Sequence, residues 1–254
     1  MKPLHPRVKK PAAALALFLL SVLPAAHAQV FIEASPVGTV PGGAIVVYGM
    51  GGSNPKIPYE RIKGSPFLDP RWRKASLLQV DGSSLGRHDV RLNLVTHEVH
   101  FLDRNGVELA ANDRTVSRVV FTDSTPQGLK PVVYRSDYDV VNRYYGAGSR
   151  YARELNQGPV SLLKVTVRTC MIGDSLFGTL KRFYFADRID YFLRVRKRIE
   201  KLKKLSEDEL HLHLTGLLRN DDWIRRTKAK LSREEDAVRY IDLVNAQLEE
   251  MGER

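Results

Sequence analysis

The chain has 254 residues, with forty Lys and Arg against twenty-nine Asp and Glu, a formal charge of +11 and a single cysteine. One cysteine excludes an intramolecular disulfide framework, so stability has to come from ordinary packing. After residue 28 no stretch is long and apolar enough for the roughly twenty residues of a membrane-spanning helix.

Residues 1–28 read as an export signal and not as part of the fold. Lys2, Arg7, Lys9 and Lys10 make a basic start, residues 12–23 are almost unbroken apolar, and Ala26-His27-Ala28 supplies the small-x-small pattern for cleavage before Gln29. The signal takes away four cations and no acid, leaving thirty-six Lys and Arg against twenty-nine acids, a formal charge near +7. No cysteine lies near the cleavage site, which excludes lipid attachment there. On an exported chain such an excess fits anionic lipid headgroups, lipopolysaccharide or acidic glycans better than nucleic acid. The expected location is the periplasm, the cell surface or the exterior, and 29–254 is long enough to bury a core of its own.

From residue 31 to 193 short β-type runs alternate with Gly, Pro, Asn and Asp. Residues 44–48 are apolar and β-branched, and the Gly-rich segment 49–55 closes them as a loop. Strands are expected over 57–62 and, after the corner at Ser65-Pro66 and Asp69-Pro70, over 75–80, with Asp81-Gly82 as a hairpin turn. The segments 90–95, 99–102, 107–110, 116–121 and 131–134 follow, with Arg104-Asn105-Gly106 and Gln127-Gly128 as turns. Segments 144–155 and 160–169 read as a hairpin around Asn156-Gln157-Gly158, and 181–185 and 190–195 complete the series. About ten strands joined by local turns predict an antiparallel meander, as a curved open sheet or a partial barrel. Cys170, after the alternating stretch 163–169, is expected to be buried at a strand end.

Around Val195 the composition changes. Arg196-Lys197-Arg198 and the lysines of 201–204 introduce a basic stretch with Ile199, Leu202 and Leu205 at helical spacing. Ser206 with Glu209 forms a capping box, followed by Leu210, Leu214 and Leu217 or Leu218 as an inward stripe. Asn220 or Asp221 heads a short helix with Trp223 and Ile224. Ser232 with Glu235 forms a second capping box, before Val238, Ile241, Val244 or Asn245, Leu248 and Met251 recur at three and four. The expected organisation is a signal at 1–28, a β-sheet domain at 29–195, and a basic segment at 196–254 whose two or three helices pack on the sheet, an α+β class without parallel βαβ units.

Gly64-Ser65-Pro66-Phe67-Leu68 before Trp72, Arg91-Leu92-Asn93-Leu94 leading to Glu98-Val99-His100-Phe101, Gly158 with Leu162-Leu163-Lys164, and Asp242-Leu243-Val244-Asn245 form an ordered set. Together they resemble an uncharacterised family of exported proteins of Bacteroidota-type Gram-negative bacteria. In that family a "GSPYL" corner, an "LRYN" strand, a hairpin strand ending in "LLK" and a lysine-rich C-terminal helical region ending near "YYN" recur in this order. The resemblance covers most of the chain after residue 28. It implies a β-rich exported domain with C-terminal helices, and it brings no activity, cofactor or catalytic residue. Here the C-terminal region holds more acids and arginines than the family's.

Several short motifs offer chemistry. Gly173-Asp174-Ser175-Leu176 matches the name motif of the GDSL esterases and lipases, and Asp208-Glu209-Leu210-His211 supplies a D-x-x-H. The motif lies late in the chain, however, before a strand and not a helix, and the Gly-x-Asn-Asp block expected between the two is absent. A nucleophilic serine needs a base and an oxyanion hole, so the segment reads as a hairpin turn and a hydrolase centred on Ser175 is the least favoured class. His97-Glu98-Val99-His100 falls one residue short of H-E-x-x-H, and a strand sets His97 and His100 on opposite faces. His211 and His213 lie on different sides of a helix, which leaves His88 outside any spacing for a metal. The segment 48–53 is Gly-rich but lacks the Gly-Lys-Ser/Thr ending and the following helix of a phosphate loop. Asp187 and Asp190 are a carboxylate pair of the kind common at turns.

Aromatics gather late in the sheet region: Tyr134, Tyr138, Tyr144, Tyr145, Tyr151, Phe183, Tyr184, Phe185, Tyr191 and Phe192. They interleave with Arg135, Arg143, Arg150, Arg153, Lys181, Arg182 and Arg188, a pattern that serves either strand packing or a stacking, cationic surface. The sequence therefore predicts no catalytic, cofactor or metal residue. It predicts a non-catalytic exported protein that binds an envelope protein or an anionic envelope component. The alternative is a periplasmic carrier of a lipid or other apolar ligand, marked by inward residues too small to fill a concave sheet.

Overall fold

The computed structural model describes residues 34–36, 44–46, 56–111, 115–126, 128–146, 150–174, 181–217, 231 and 233–252. The expected signal, the Gly-rich loop 48–53, Ser175 and the helix around Trp223 lie outside the described residues. The strands are β1 (Ala34–Pro36), β2 (Ala44–Val46), β3 (Lys56–Pro58), β4 (Ile62–Lys63), β5 (Arg73–Leu78), β6 (Ser84–Leu92) and β7 (Val99–Leu102). They continue with β8 (Glu108–Ala111), β9 (Arg118–Thr125), β10 (Gly128–Arg135), β11 (Ala152–Glu154), β12 (Val160–Asp174), β13 (Lys181–Val195) and β14 (Arg198–Lys201). Helices are α1 (Asp139–Tyr144), α2 (Glu207–Leu214) and α3 (Glu234–Glu250).

Twelve strands form one open sheet in the order β1-β8-β7-β6-β5-β9-β10-β11-β12-β13-β14, with β4 added beside β13. β2 and β3 pair separately. The expected β-rich sheet with C-terminal helices is the fold. It consists of two antiparallel meanders, β5 to β8 and β9 to β14, joined where β9 returns beside β5. The exception to antiparallel order is β4, which runs parallel to β13 through Ile62↔Phe183 and Lys63↔Tyr184.

Several segments differ from the sequence reading. Among the described residues of 144–155, read as a strand, only Ala152–Glu154 is extended, and Asp139–Tyr144 is helical. Asn142 sets this turn of helix: its amide donates to Ser136 O at 2.7 Å and its carbonyl accepts from Arg150 N at 2.8 Å. Lys181–Val195 is a single strand, because Asp187, which reads as a turn residue, sits opposite Arg168 and is neutralised by it. The stretch after Val195 is not a helical approach. Arg196, at a φ of 54°, turns the chain, and Arg198–Lys201 pairs back on β13. The sheet therefore extends to Lys201, beyond the boundary at residue 195. Within 57–62, Tyr59–Arg61 forms a 3-10 turn after Pro58.

The two meanders share one core, in which Leu77, Leu92, Val99 and Phe101 join Val119, Phe121, Val132 and Tyr134. α2 and α3 form a second core with the start of the long hairpin, where Leu210, Leu214, Tyr240, Ile241, Val244 and Leu248 meet Val160, Leu162 and Leu193. Each such aliphatic side chain removed from water contributes about 1.5–3 kcal/mol before entropy is counted. Large side chains are fully buried at several positions, among them Tyr240, Phe121, Phe192, Leu162 and Leu163. No helix among the described residues is long and apolar enough to cross a membrane.

Capping fixes the helices. Ser206 Oγ accepts from Glu209 N at 3.4 Å, as the sequence predicts, while the Glu209 carboxylate accepts from Lys203 N at 3.0 Å and ties the preceding loop to the helix. At α3, Arg233 N donates to Asp236 Oδ2 at 3.2 Å, one residue beyond the expected box, whose Ser232 lies outside the described residues. Asn245 docks α3 on the hairpin. Its Oδ1 accepts from Val160 N at 2.9 Å, and its Nδ2 donates to Val160 O at 2.8 Å and to Gln157 O at 3.1 Å. Gly158, at a φ of 132°, makes room for that amide, since a Cβ there would lie 2.5 Å from Nδ2.

Candidate functional site: the outer face of the long ribbon

β12 and β13 form a fifteen-residue antiparallel ribbon in continuous register from Val160↔Val195 to Asp174↔Lys181. At about 3.3 Å per residue it is roughly 46 Å long. Alternation assigns the faces. On one face, Val160, Leu162 and Leu193 carry α2 and α3 near the start. Further along, Cys170, Phe183 and Phe185 of the same face pack against Ile57, Tyr59 and Ile62. On the other face, Leu163, Val165 and Phe192 lie under Tyr138 and Val141 around α1.

Beyond Asp190 this second face is open. Its positions are Val167, Thr169, Met171 and Gly173 on β12, and Arg188, Ala186, Tyr184 and Arg182 on β13. Lys63 of β4 stands beside Tyr184. Met171 is 43% exposed and Tyr184 39%, high for large apolar side chains in mid-ribbon, and Lys63, Arg182 and Arg188 are exposed. No acid occupies these positions of β12 and β13. Tyr184 leans across Gly173, where a Cβ would lie 3.2 Å from its ring. The result is an exposed strip that carries an aromatic ring, a thioether and three cations.

The supports are electrostatic. Arg168 donates to Asp187 at 2.6 and 2.8 Å and to the carbonyls of Ser65 and Phe67 at 2.6 Å, clamping the 65–67 corner onto the ribbon. The hydrogen bonds from Arg168 hold the Asp187 carboxyl below the usual range. At the inner limit of the strip, Asp190 accepts from Tyr145 at 2.6 Å and pairs with Lys201 at 2.9 Å and Arg188 at 3.2 Å. Burial pushes its pKa up, but Tyr145, Lys201 and Arg188 outweigh burial and hold it low. Asp187 and Asp190 are therefore separately engaged on opposite faces and do not form a carboxylate pair.

The other motifs disperse. Gly173 and Asp174 lie at the far end of β12, whereas α2, carrying Asp208 and His211, packs near its start. Cys170 is in mid-strand and half-buried, not at a strand end, because β12 continues to Asp174. Burial pushes its thiol pKa up. His97 is in a turn at a φ of 60°, not in a strand. It is 3% exposed, and among the described residues neither ring nitrogen has a hydrogen-bond partner. Desolvation, with a smaller push from Arg150, lowers its pKa to about 3. His100 instead donates from Nδ1 to Glu108 at 2.7 Å, beside Arg91, which stacks on Phe67 and Trp72 at 4.0 and 4.1 Å. His213 binds Glu200 at 2.6 Å, and His88 contacts Leu85 O at 3.0 Å. Among the described residues no three His, Cys, Asp or Glu side chains converge on a metal position.

The aromatics divide between packing and surface. Tyr134, Tyr138, Tyr151 and Phe192 are buried, and Arg135 stacks on Tyr138 at 5.0 Å. Tyr191 donates to Glu234 at 2.6 Å and joins β13 to α3. Of the interleaved set, Tyr184, Arg182 and Arg188 reach the open strip. Sequence reasoning missed Lys63 and Met171, whose place there depends on the parallel contact of β4 and on the ribbon continuing through Asp174. Comparison with protein-family models, curated proteins and solved structures finds no match.

Proposed function

We propose that this chain is an exported, non-catalytic protein of the cell envelope that attaches to an anionic envelope component through the outer face of the ribbon. The observation that carries the reading is the strip of Lys63, Arg182 and Arg188 around Tyr184 and Met171, a face whose register positions beyond Asp190 hold no acid. Cations a few ångströms from a phosphate-bearing surface gain energy that salt screens. A tyrosine and a methionine supply the amphipathic contact of an interfacial anchor. The export signal read at residues 1–28 and the resemblance to exported β-rich proteins support the reading, since such headgroups occur in the envelope. A carrier needs inward side chains too small to fill the space, whereas Leu, Phe and Tyr stand beside the Val and Ala of the described cores.

Co-sedimentation with phosphatidylglycerol-containing vesicles tests the reading. Binding is expected in low salt, to be lost at high salt, absent on pure phosphatidylcholine vesicles, and weakened at least tenfold by Arg182→Gln with Arg188→Gln. Equal binding to both vesicle types, or none to either, overturns it.

A further inference from the structure

The outer edge of β12 carries a feature independent of that face. β11 pairs with β12 only through Leu163 to Val165, and the last main-chain bond on this edge runs from Arg168 N to Leu94 O at 3.2 Å. Leu162 O, which accepts from Leu155 N, also points to this edge. Alternation therefore directs the main-chain groups of the even-numbered residues outward, those of Cys170 and Ile172 included. Among the described residues nothing pairs with them. An unpaired row of N–H and C=O groups is a template for another strand, and protein edges are commonly guarded by Lys, Pro or a bulge. Residues 169–173, Thr-Cys-Met-Ile-Gly, contain no charge and no proline, and the register with β13 shows no bulge. Ile172 is 37% exposed beside exposed Met171.

We propose that this edge pairs antiparallel with the same edge of a second copy of the chain, continuing the sheet across a two-fold axis. Leu94 occupies the edge at Arg168, so the free segment runs from Cys170 to Asp174 and its midpoint is Ile172. Self-pairing about that midpoint sets Ile172 against Ile172, Met171 against Gly173 and Cys170 against Asp174. Residues 169–173 carry no charge, so pairing the segment with its own copy sets no like charges opposite one another. The interface is isologous, and its axis runs perpendicular to the sheet, which keeps equivalent faces of the two ribbons on one side.

Cysteine trapping tests the register. In a Cys170→Ser background, Ile172→Cys places two thiols on a hydrogen-bonded pair with Cα atoms about 5.5 Å apart, within disulfide reach. A covalent dimer is expected under a mild oxidant. Ile189→Cys in the same background, somewhat more exposed than Ile172 but away from the edge, is expected to stay monomeric. Equal trapping at both positions, or none at 172, overturns the proposal. Ile172→Pro removes an outward N–H without touching the ladder to β13. In sedimentation equilibrium over about 10–200 µM, the wild-type chain is expected to dimerise and the proline variant to remain monomeric. A monomeric wild type, or a proline variant that dimerises equally, also overturns it.

Discussion

The buried, unpartnered imidazole of His97 makes stability depend on pH in a calculable way. Its pKa is about 3 in the fold, against about 6.5 in an unfolded chain. Between those values the unfolded state binds the extra proton, so stability attributable to His97 is complete above pH 6.5 and falls as pH drops toward 3. The slope approaches about 1.4 kcal/mol per pH unit, which amounts to roughly 3 kcal/mol between pH 7.5 and 4.5. His97→Asn removes the titration, and Asn tolerates the positive φ of 60°. The assay is urea unfolding of both chains at pH 7.5, 6.0, 5.25 and 4.5. The two curves are expected to run close together at pH 7.5, with the variant overtaking wild type by about 2–3 kcal/mol at pH 4.5. Parallel pH profiles would refute the reasoning, because they would mean that His97 is solvated or hydrogen-bonded in the fold.

Gly158→Ala is expected to cost about 2–4 kcal/mol, because its Cβ would strike the Asn245 amide from a backbone that disfavours side chains. Asn245→Ala is expected to cost about 2–3 kcal/mol through three lost hydrogen bonds. The double variant is expected to be less destabilised than the sum, and strict additivity in denaturant unfolding would argue against the clash. Cys170, its thiol pKa raised by burial, is expected to react with a thiol reagent at pH 8 several-fold more slowly in the folded than in the unfolded chain. Equal rates would contradict its packing against the 57–62 segment.

How much was legible depended on whether the deciding contacts are local. The stripe of α3 was readable because Ile241, Val244 and Leu248 recur at helical spacing and all are buried. β7 fell at its predicted bounds. α1 was not readable, since six residues carry too little periodicity and its geometry rests on the bonds of Asn142 to Ser136 and Arg150. β14 was hidden because a short strand with one apolar residue, Ile199, fits either period. The Arg and Tyr interleaving of the candidate face was visible in sequence. Which face stays bare was not, because it depends on segments distant in the chain: α2 and α3, α1, and the 57–63 segment beside β13.

The lock of Asn245 on Val160 also bears on the order in which the molecule can be assembled. The first rungs of the ribbon share their core with α3, the last helix among the described residues, and the main-chain groups of Val160 are satisfied by a side chain eighty-five residues later. Until that helix exists, the ribbon lacks both its apolar cover and the clasp at its first rung. The core shared by β5 to β10 can form earlier, whereas the first rung of the ribbon is clasped only when α3 is present. Closure of that first rung is thus a long-range step, and a nascent chain that has not yet reached α3 leaves Val160 and Leu162 without their cover.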